Sequence, residues 1–453
     1  MQQEILELIE SKKFARLREV LVDINPADIA LFLDEVEFKE LPVVFRILPK
    51  ELAADVFVEM DSEMQQVLIE SFNDKELREV MDELFLDDTV DIIDEMPASV
   101  AKRILKQTNA ATRKMINQLL AYPDDSAGSI MTTEYIDLKK DMTVEQAFDK
   151  IRKVGFEAET IYICYVLDRS RHLQGIVSVK DLLLNEKSCV LSEIMNENII
   201  FANTLDDKES VAEKFERYDL FALPVVDKEN RLVGIVTVDD AIDVMQEEAT
   251  EDIEKMAAIL PSDKTYLRTG VFETVKSRIP WLLLLMISAT FTGAIITNFE
   301  EKLTILPALI TFIPMLMNTA GSGGSQSSVT VIRALSLGDI DFGDIFRIIW
   351  KESRVAFVCS VILALVNFVK MYLIDHLLLN TFDTGRQIVE ILVVSLTLLV
   401  TIMIAKLVGS VLPLFAKKIG LDPTVMASPF ITTIVDTISL AVYFNIAIWL
   451  LKI

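Results

Sequence analysis

The sequence predicts a multidomain membrane protein: a superhelical α-helical N-domain, a duplicated α/β pair, a connecting helix and a five-helix α transmembrane domain. Three observations predict it. Charge and apolarity are segregated along the chain. The 453 residues carry a formal net charge of −25, yet residues 271–453 hold only 12 of the 69 acids and 13 of the 44 bases, which leaves 57 acids and 31 bases in residues 1–270. Apolar stretches long enough to cross a bilayer recur after Ser277. One strand–helix pattern occurs twice between residues 129 and 245. So acidic a soluble half excludes nucleic acid as a partner, because phosphates need Lys and Arg. It suits metal cations, or a merely soluble surface.

Residues 1–128 read as short amphipathic helices. "PKELAADVFVEM", "NDKELREVMDEL" and "LDDTVDIIDEM" look like related units that stack as a small superhelix. The N-terminal "MQQEILELIESKKFARL" is charged and amphipathic, unlike a cleavable signal peptide. Cys164, Cys189 and Cys359 have no metal-ligand spacing, and a reducing compartment follows. With only His172 and His376 and no phosphate loop, no catalytic constellation is apparent, and the chain reads as a non-enzyme.

Within 129–245, "SIMTTEYIDLKKDMTVEQAFDKI" is echoed by "EIMNENIIFANTLDDKESVAEKF". "YICYVLDRSRHLQGIVSVKDLL" is echoed by "ALPVVDKENRLVGIVTVDDAI". Each copy reads as strand, helix, strand, strand, helix, with a two-strand hairpin feeding the last helix. This resembles a tandem pair of CBS domains. The resemblance implies a regulatory module with an adenine nucleotide such as ATP in the cleft between copies, and Asp181 and Asp240 at the positions that hold its ribose.

"DDAIDVMQEEATEDIEKM", residues 239–256, runs from the end of the pair into a connecting helix and linker assigned to residues 246–272. As a helix it puts Asp240, Asp243, Glu247 and Glu251 on one face, where like charges repel by a few tenths of a kcal/mol per pair. It is either a solvated linker or a helix awaiting a counter-charge such as a divalent cation.

Residues 273–453 form the membrane part. The spans fall at 279–297, about 303–320, 355–374, 388–416 and 425–451. Lys276, Arg278, Arg333, Arg347, Lys351, Arg354, Lys417 and Lys418 crowd one side, against Lys302 and Arg386 on the other. By the positive-inside rule the N-terminal half is cytoplasmic and the C-terminus outside. "MNTAGSGGSQSSVT" ends span two, as either close packing through small residues or loosened backbone lining a wet cavity. In span five Pro429 frees a carbonyl near Val425, and Ser428, Thr432 and Asp436 share one face at i, i+4, i+8. That stripe of oxygens suits a hard divalent cation. An intramembrane acid is a functional site by default; the alternative for Asp436 is an ion pair with Lys406.

In this order the parts resemble the MgtE family of magnesium channels across nearly the whole chain. "GSGGSQSSVTVIRAL", "GLDPTVMASPFITTIVDTISL" and "VVDKENRLVGIVTVDDAIDVMQEEATEDI" carry the likeness most sharply. The resemblance implies a homodimer in the cell membrane, with Asp436, Ser428 and Thr432 along a pore for hydrated Mg2+. It also implies regulatory Mg2+ held by Asp87 and Asp91 of the N-domain with Asp240, Asp243, Glu248, Glu251 and Asp252 of the connecting helix. Ser322, Ser325 and Ser428 stand where the family usually has asparagine, and Lys406 where it has a neutral amide. The rival readings are a CBS-regulated exchanger or carrier of altered selectivity, for example for Co2+, and a membrane-anchored sensor.

Overall fold

The structure, a computed structural model, describes residues 5, 7–9, 11–262, 266, 269–303, 307–378 and 387–452, and only the backbone at 300–303, 307–308, 376–378, 387 and 428. The chain divides into two compact units, Met1–Gln246 and Glu247–Ile453.

In the first unit, short helices follow one another from Phe14 to Leu119. The three quoted segments become helices Lys50–Val58, Asp74–Met81 and Leu86–Glu95. Their starts follow from capping chemistry. Asn25, Asp61, Asn73 and Asn109 each accept a hydrogen bond from the first-turn backbone, and Asn73 with Glu76 forms a reciprocal capping box. The inward faces meet in a core that includes Leu17, Ile29, Phe57, Leu68 and Leu77, all fully buried. Each such side chain stabilises the fold by about 1.5–3 kcal/mol. Arg103 donates to the carbonyls of Ile69 and Phe72, at 2.6 and 2.5 Å, and so satisfies orphan acceptors at the end of helix Ser62–Ser71.

The two α/β copies form two three-stranded sheets. In the first, β1 (Asp137–Lys139) runs parallel to β2 (Ile163–Leu167), which pairs antiparallel with β3 (Leu173–Ser178). β4 (Ala202–Asn203), β5 (Ala222–Val226) and β6 (Leu232–Thr237) repeat the order. The hairpin turns match as well. Asp168 accepts from the N–H of Ser170 and His172, and Asp227 from Glu229 and Arg231. The copies also exchange segments: Thr132 bridges to Ile235 of the second sheet and Asn196 to Ile176 of the first. Met131 then packs on Gly234 and Met195 on Gly175, where a Cβ would lie 2.7 Å from either sulfur. At Gly234 a Cβ would also lie 2.7 Å from the Thr132 carbonyl oxygen, which cannot give way as a methionine side chain can.

In the second unit, Val271–Phe299, Phe342–Asp375, Ile388–Lys418 and Pro423–Leu451 are long and apolar enough to cross a membrane. The helix Ile313–Ser336 lies among them and is more polar. Two expectations change here. The glycine-rich segment does not end a span or loosen: the helix runs unbroken through it, with Ala320, Gly321, Gly323, Gly324, Ser327 and Ser328 buried. Ser325 and Thr330 bond back to the carbonyls of Gly321 and Gln326, which keeps these hydroxyls inside the helix. The small residues serve close approach instead; a Cβ on Gly409 of helix Gln387–Lys418 would strike the backbone of Gly324. Pro429 also does not interrupt span five. It stands in the first turn of helix Ser428–Leu451, where its missing N–H has no intrahelical partner to lose. Val425 belongs to a preceding 3-10 turn, Pro423–Met426, rather than to the helix.

Candidate cation-binding sites

Helix Ser428–Leu451 carries Thr432 and Asp436 on one face, against Gly321 of helix Ile313–Ser336. A Cβ at Gly321 would lie 3.1 Å from Thr432 Cγ2 and 3.7 Å from Asp436 Oδ1. The bare glycine therefore leaves room beside the carboxylate. Thr432 donates its hydroxyl to Pro429 O at 2.9 Å, and its oxygen keeps acceptor capacity. The Ser428 side chain lies outside the described residues. Lys406 does not pair with Asp436; its ammonium turns to Ser327 Oγ at 3.5 Å.

A denser site lies in the first unit. Asp87, at the start of helix Leu86–Glu95, offers an oxygen within 4.8 Å of one each from Glu134 and Glu159. The loops are tied together by their own backbone. Glu134 accepts the Leu86 N–H at 3.0 Å, and its carbonyl accepts the Glu159 N–H at 2.8 Å. Asp87 Oδ1 and Glu159 Oε2 are buried with no hydrogen-bond partner. Such atoms are costly unless something completes them. Burial, then the charge of neighbouring acids such as Glu134, pushes Asp87 up to about 6. Burial followed by Asp87 and Asp88 raises Glu159 to about 8. Asp88 rises to about 7 through burial, Asp87 and Asp240. Asp91, exposed on one side, rises to about 8 through desolvation and then Asp240. Asp240 is pushed to about 7 by burial, although Thr237 holds its carboxylate by hydrogen bonds that work the other way. An all-oxygen donor set of uncompensated carboxylates fits a hard divalent cation.

Of the residues expected from the sequence, Asp87, Asp91 and Asp240 come together here. Asp243 and Glu248 lie further along helix Val238–Met256, outside the carboxylate trio. Glu251 and Asp252 fall in the second unit. There Lys255 binds Glu251 at 2.5 Å and Asp422 at 2.7 Å. Burial works against it, but the Lys255 and Thr424 hydrogen bonds hold Asp422 below the usual carboxylate range. Asp252 is raised by burial and by Asp422. Sequence reasoning missed Glu134, Glu159 and Asp422. Each lies in a connecting segment, without a helical period to mark it.

Asp181 and Asp240 occupy equivalent places in the two copies. Each Oδ2 accepts from the hydroxyl of the residue that starts its helix, Ser178 or Thr237, at 2.5 Å. Beside Asp181, Tyr162 O accepts the Val179 N–H, and the exposed Tyr162 ring lies 6.4 Å from the exposed ring of Phe221.

Three family profiles match this chain: "MgtE intracellular N domain" over residues 24–125, "CBS domain" over 127–187 and 191–247, and "Divalent cation transporter" over 313–446. The chain is 35% identical to "Magnesium transporter MgtE" of Thermus thermophilus, over 98% of this chain and 97% of the relative. It is 34% identical to the protein of that name from Bacillus subtilis, over 98% and 96%. Among solved structures, the cytosolic domain of the Mg2+ channel MgtE in complex with ATP matches at 37% identity and a TM-score of 0.52, over 54% of this chain and all of that one. The soluble part of a magnesium transporter matches at 30% and 0.51, over 55% and 98%. With its N-domain, CBS pair and apolar membrane helices, the chain belongs to the MgtE family of magnesium transporters.

Proposed function

We propose that this protein is a magnesium-selective channel of the cell membrane, gated shut by intracellular Mg2+. It works as a homodimer with five spans per chain, the N-terminal half in the cytoplasm and the C-terminus outside. The observation that carries the reading is the Asp87–Glu134–Glu159 trio with its orphaned buried oxygens. At low internal Mg2+ these acids and Asp88, Asp91, Asp239 and Asp240 repel one another. A bound ion converts that repulsion into bridging. Asp240 stands on the same continuous helix, Val238–Met256, as Glu251, Asp252 and Lys255. Lys255 in turn holds Asp422, which caps the 3-10 turn leading into the helix of Asp436. Moving a gate from mostly open to mostly closed needs about 5 kcal/mol of differential binding. Several sites coupled by about 1–3 kcal/mol each supply it.

In the pore, Asp436 with Thr432 and Ser428 attracts the hydrated ion. Asp436→Asn keeps shape and packing but removes the charge, so Mg2+ uptake into liposomes should fall to background. Uptake at the wild-type rate would remove Asp436 from the ion path. The ion pair with Lys406, the alternative for Asp436, does not form, because Lys406 turns to Ser327. In the CBS pair, Tyr162, Phe221 and Asp181 offer stacking and ribose contacts for an adenine nucleotide. ATP binding to the relative's cytosolic domain supports this assignment.

A further inference from the structure

Among the described residues the membrane unit buries three acids that the pore path does not use, Glu352, Asp375 and Glu390; Glu352 is the one beside Lys406. Glu352, on helix Ile345–Lys370, is 9% exposed. It accepts the Ser327 hydroxyl at 2.8 Å. Lys406, on helix Gln387–Lys418, is 6% exposed and reaches the same Ser327 oxygen at 3.5 Å. Carboxylate, hydroxyl and ammonium thus come from three different helices. Ser327 lies six residues along the helix from Gly321, which faces Asp436, or about 9 Å at the α-helical rise. Its neighbour Ser328 donates to Met426 O at 2.8 Å, just before the helix of Asp436.

A buried carboxylate needs a positive partner, and hydroxyl plus carboxylate is donor chemistry for a hard cation. Here a cation stands across a bridging hydroxyl: Lys406 makes no direct ion pair with Glu352, and Ser327 Oγ links the two. A lysine ammonium is a compact point charge on a flexible stem, and it lies across Ser327 from Glu352. We propose that Lys406 is a tethered counter-cation for Glu352, taking with its ammonium the place that a divalent ion would otherwise occupy. Because it cannot dissociate, it keeps Glu352 neutralised and stops that acid from competing with Asp436 for ions. Lys406 acts as a specificity-determining residue, and Glu352 with Ser327 is a latent cation site. This goes beyond the gating reading and does not depend on it, since binding is read without transport.

The test uses the full-length protein in detergent, with Mn2+ as the probe counted by equilibrium dialysis. K406Q should bind one more Mn2+ per chain than wild type. K406Q/E352Q should return to the wild-type count, and K406R should not depart from it. If K406Q is unstable in chelator, Mn2+ should restore its melting temperature, whereas K406Q/E352Q should be stable without the ion. A K406Q protein that binds no additional Mn2+, or whose instability Mn2+ does not relieve, overturns the proposal. So does an additional ion that survives in K406Q/E352Q. Transport by D436N plays no part in these counts, so failure here and failure of the channel reading are separate results.

Discussion

Asp87 and Glu159 set the behaviour of the acid cluster. Their carboxyl groups, like those of Asp88, Asp91 and Asp240, are raised from ordinary values near 4 to about 6–8. The folded state therefore binds more protons than the unfolded state across that window. Without divalent ions, stability should fall as pH rises from about 4 through about 8. A fragment of residues 1–265 in chelator should melt lower at pH 8 than at pH 6, and millimolar Mg2+ should restore it by binding only the folded form. Sodium at equal ionic strength should do much less. Glu159→Gln removes one of the repelling charges. In chelator at pH 8 it should raise the melting temperature by about 2–4 °C, the equivalent of about 1 kcal/mol in a unit of this size, and should blunt the Mg2+ response. Thermal scans at both pH values check this, and equal Mg2+ gains in variant and wild type would remove Glu159 from the site. Asp87, Asp91 and Asp240 were legible because they sit in segments that resemble the family. Glu134 and Glu159 were not, because only the backbone bond between their loops brings them together.

At the scale of elements, apolarity located the four described helices that are long and apolar enough to cross a membrane, though not the second span expected at about 303–320, and charge segregation marked off the acidic N-terminal half. For the helix Ile313–Ser336, the close-packing alternative holds and the loosened backbone does not; only its end was misplaced, because glycine and serine usually mark one. Among apolar neighbours they mark a contact instead: Gly324 meets Gly409 backbone to backbone. A Gly409→Ala methyl cannot be absorbed by side-chain rearrangement, and overpacking of this kind costs about 1–3 kcal/mol or more. Gly409→Ala should lower the detergent melting temperature of the full chain and its transport together. Gly323→Ala is the control, since its Cβ would meet only Ile402 Cγ2 at 3.9 Å. Equal behaviour of the two variants would show that the contact is loose. The repeat made the α/β pair readable strand by strand. The exchange of Thr132 and Asn196 between copies was not readable, because isolated bridges leave no periodic trace.

For the whole molecule, the central claim is that internal Mg2+ closes the pore through carboxylates in the first unit. The distribution of 57 acids and 31 bases in residues 1–270 suits cation binding as well as a merely soluble surface, and it does not select which acids would bind. The connecting-helix acids offer one test: Asp240→Asn with Glu251→Gln should keep the channel open at internal Mg2+ concentrations that close the wild type. Asp240 also caps its own helix through Thr237, and Glu251 pairs with Lys255, so that variant touches structure as well. The most direct measurement is therefore the current in excised patches as cytoplasmic Mg2+ is raised, for wild type against Asp87→Asn with Glu159→Gln. The account predicts equal currents at very low internal Mg2+, and a variant that stays open where wild type closes. Closure of the variant at the wild-type Mg2+ concentration would contradict it.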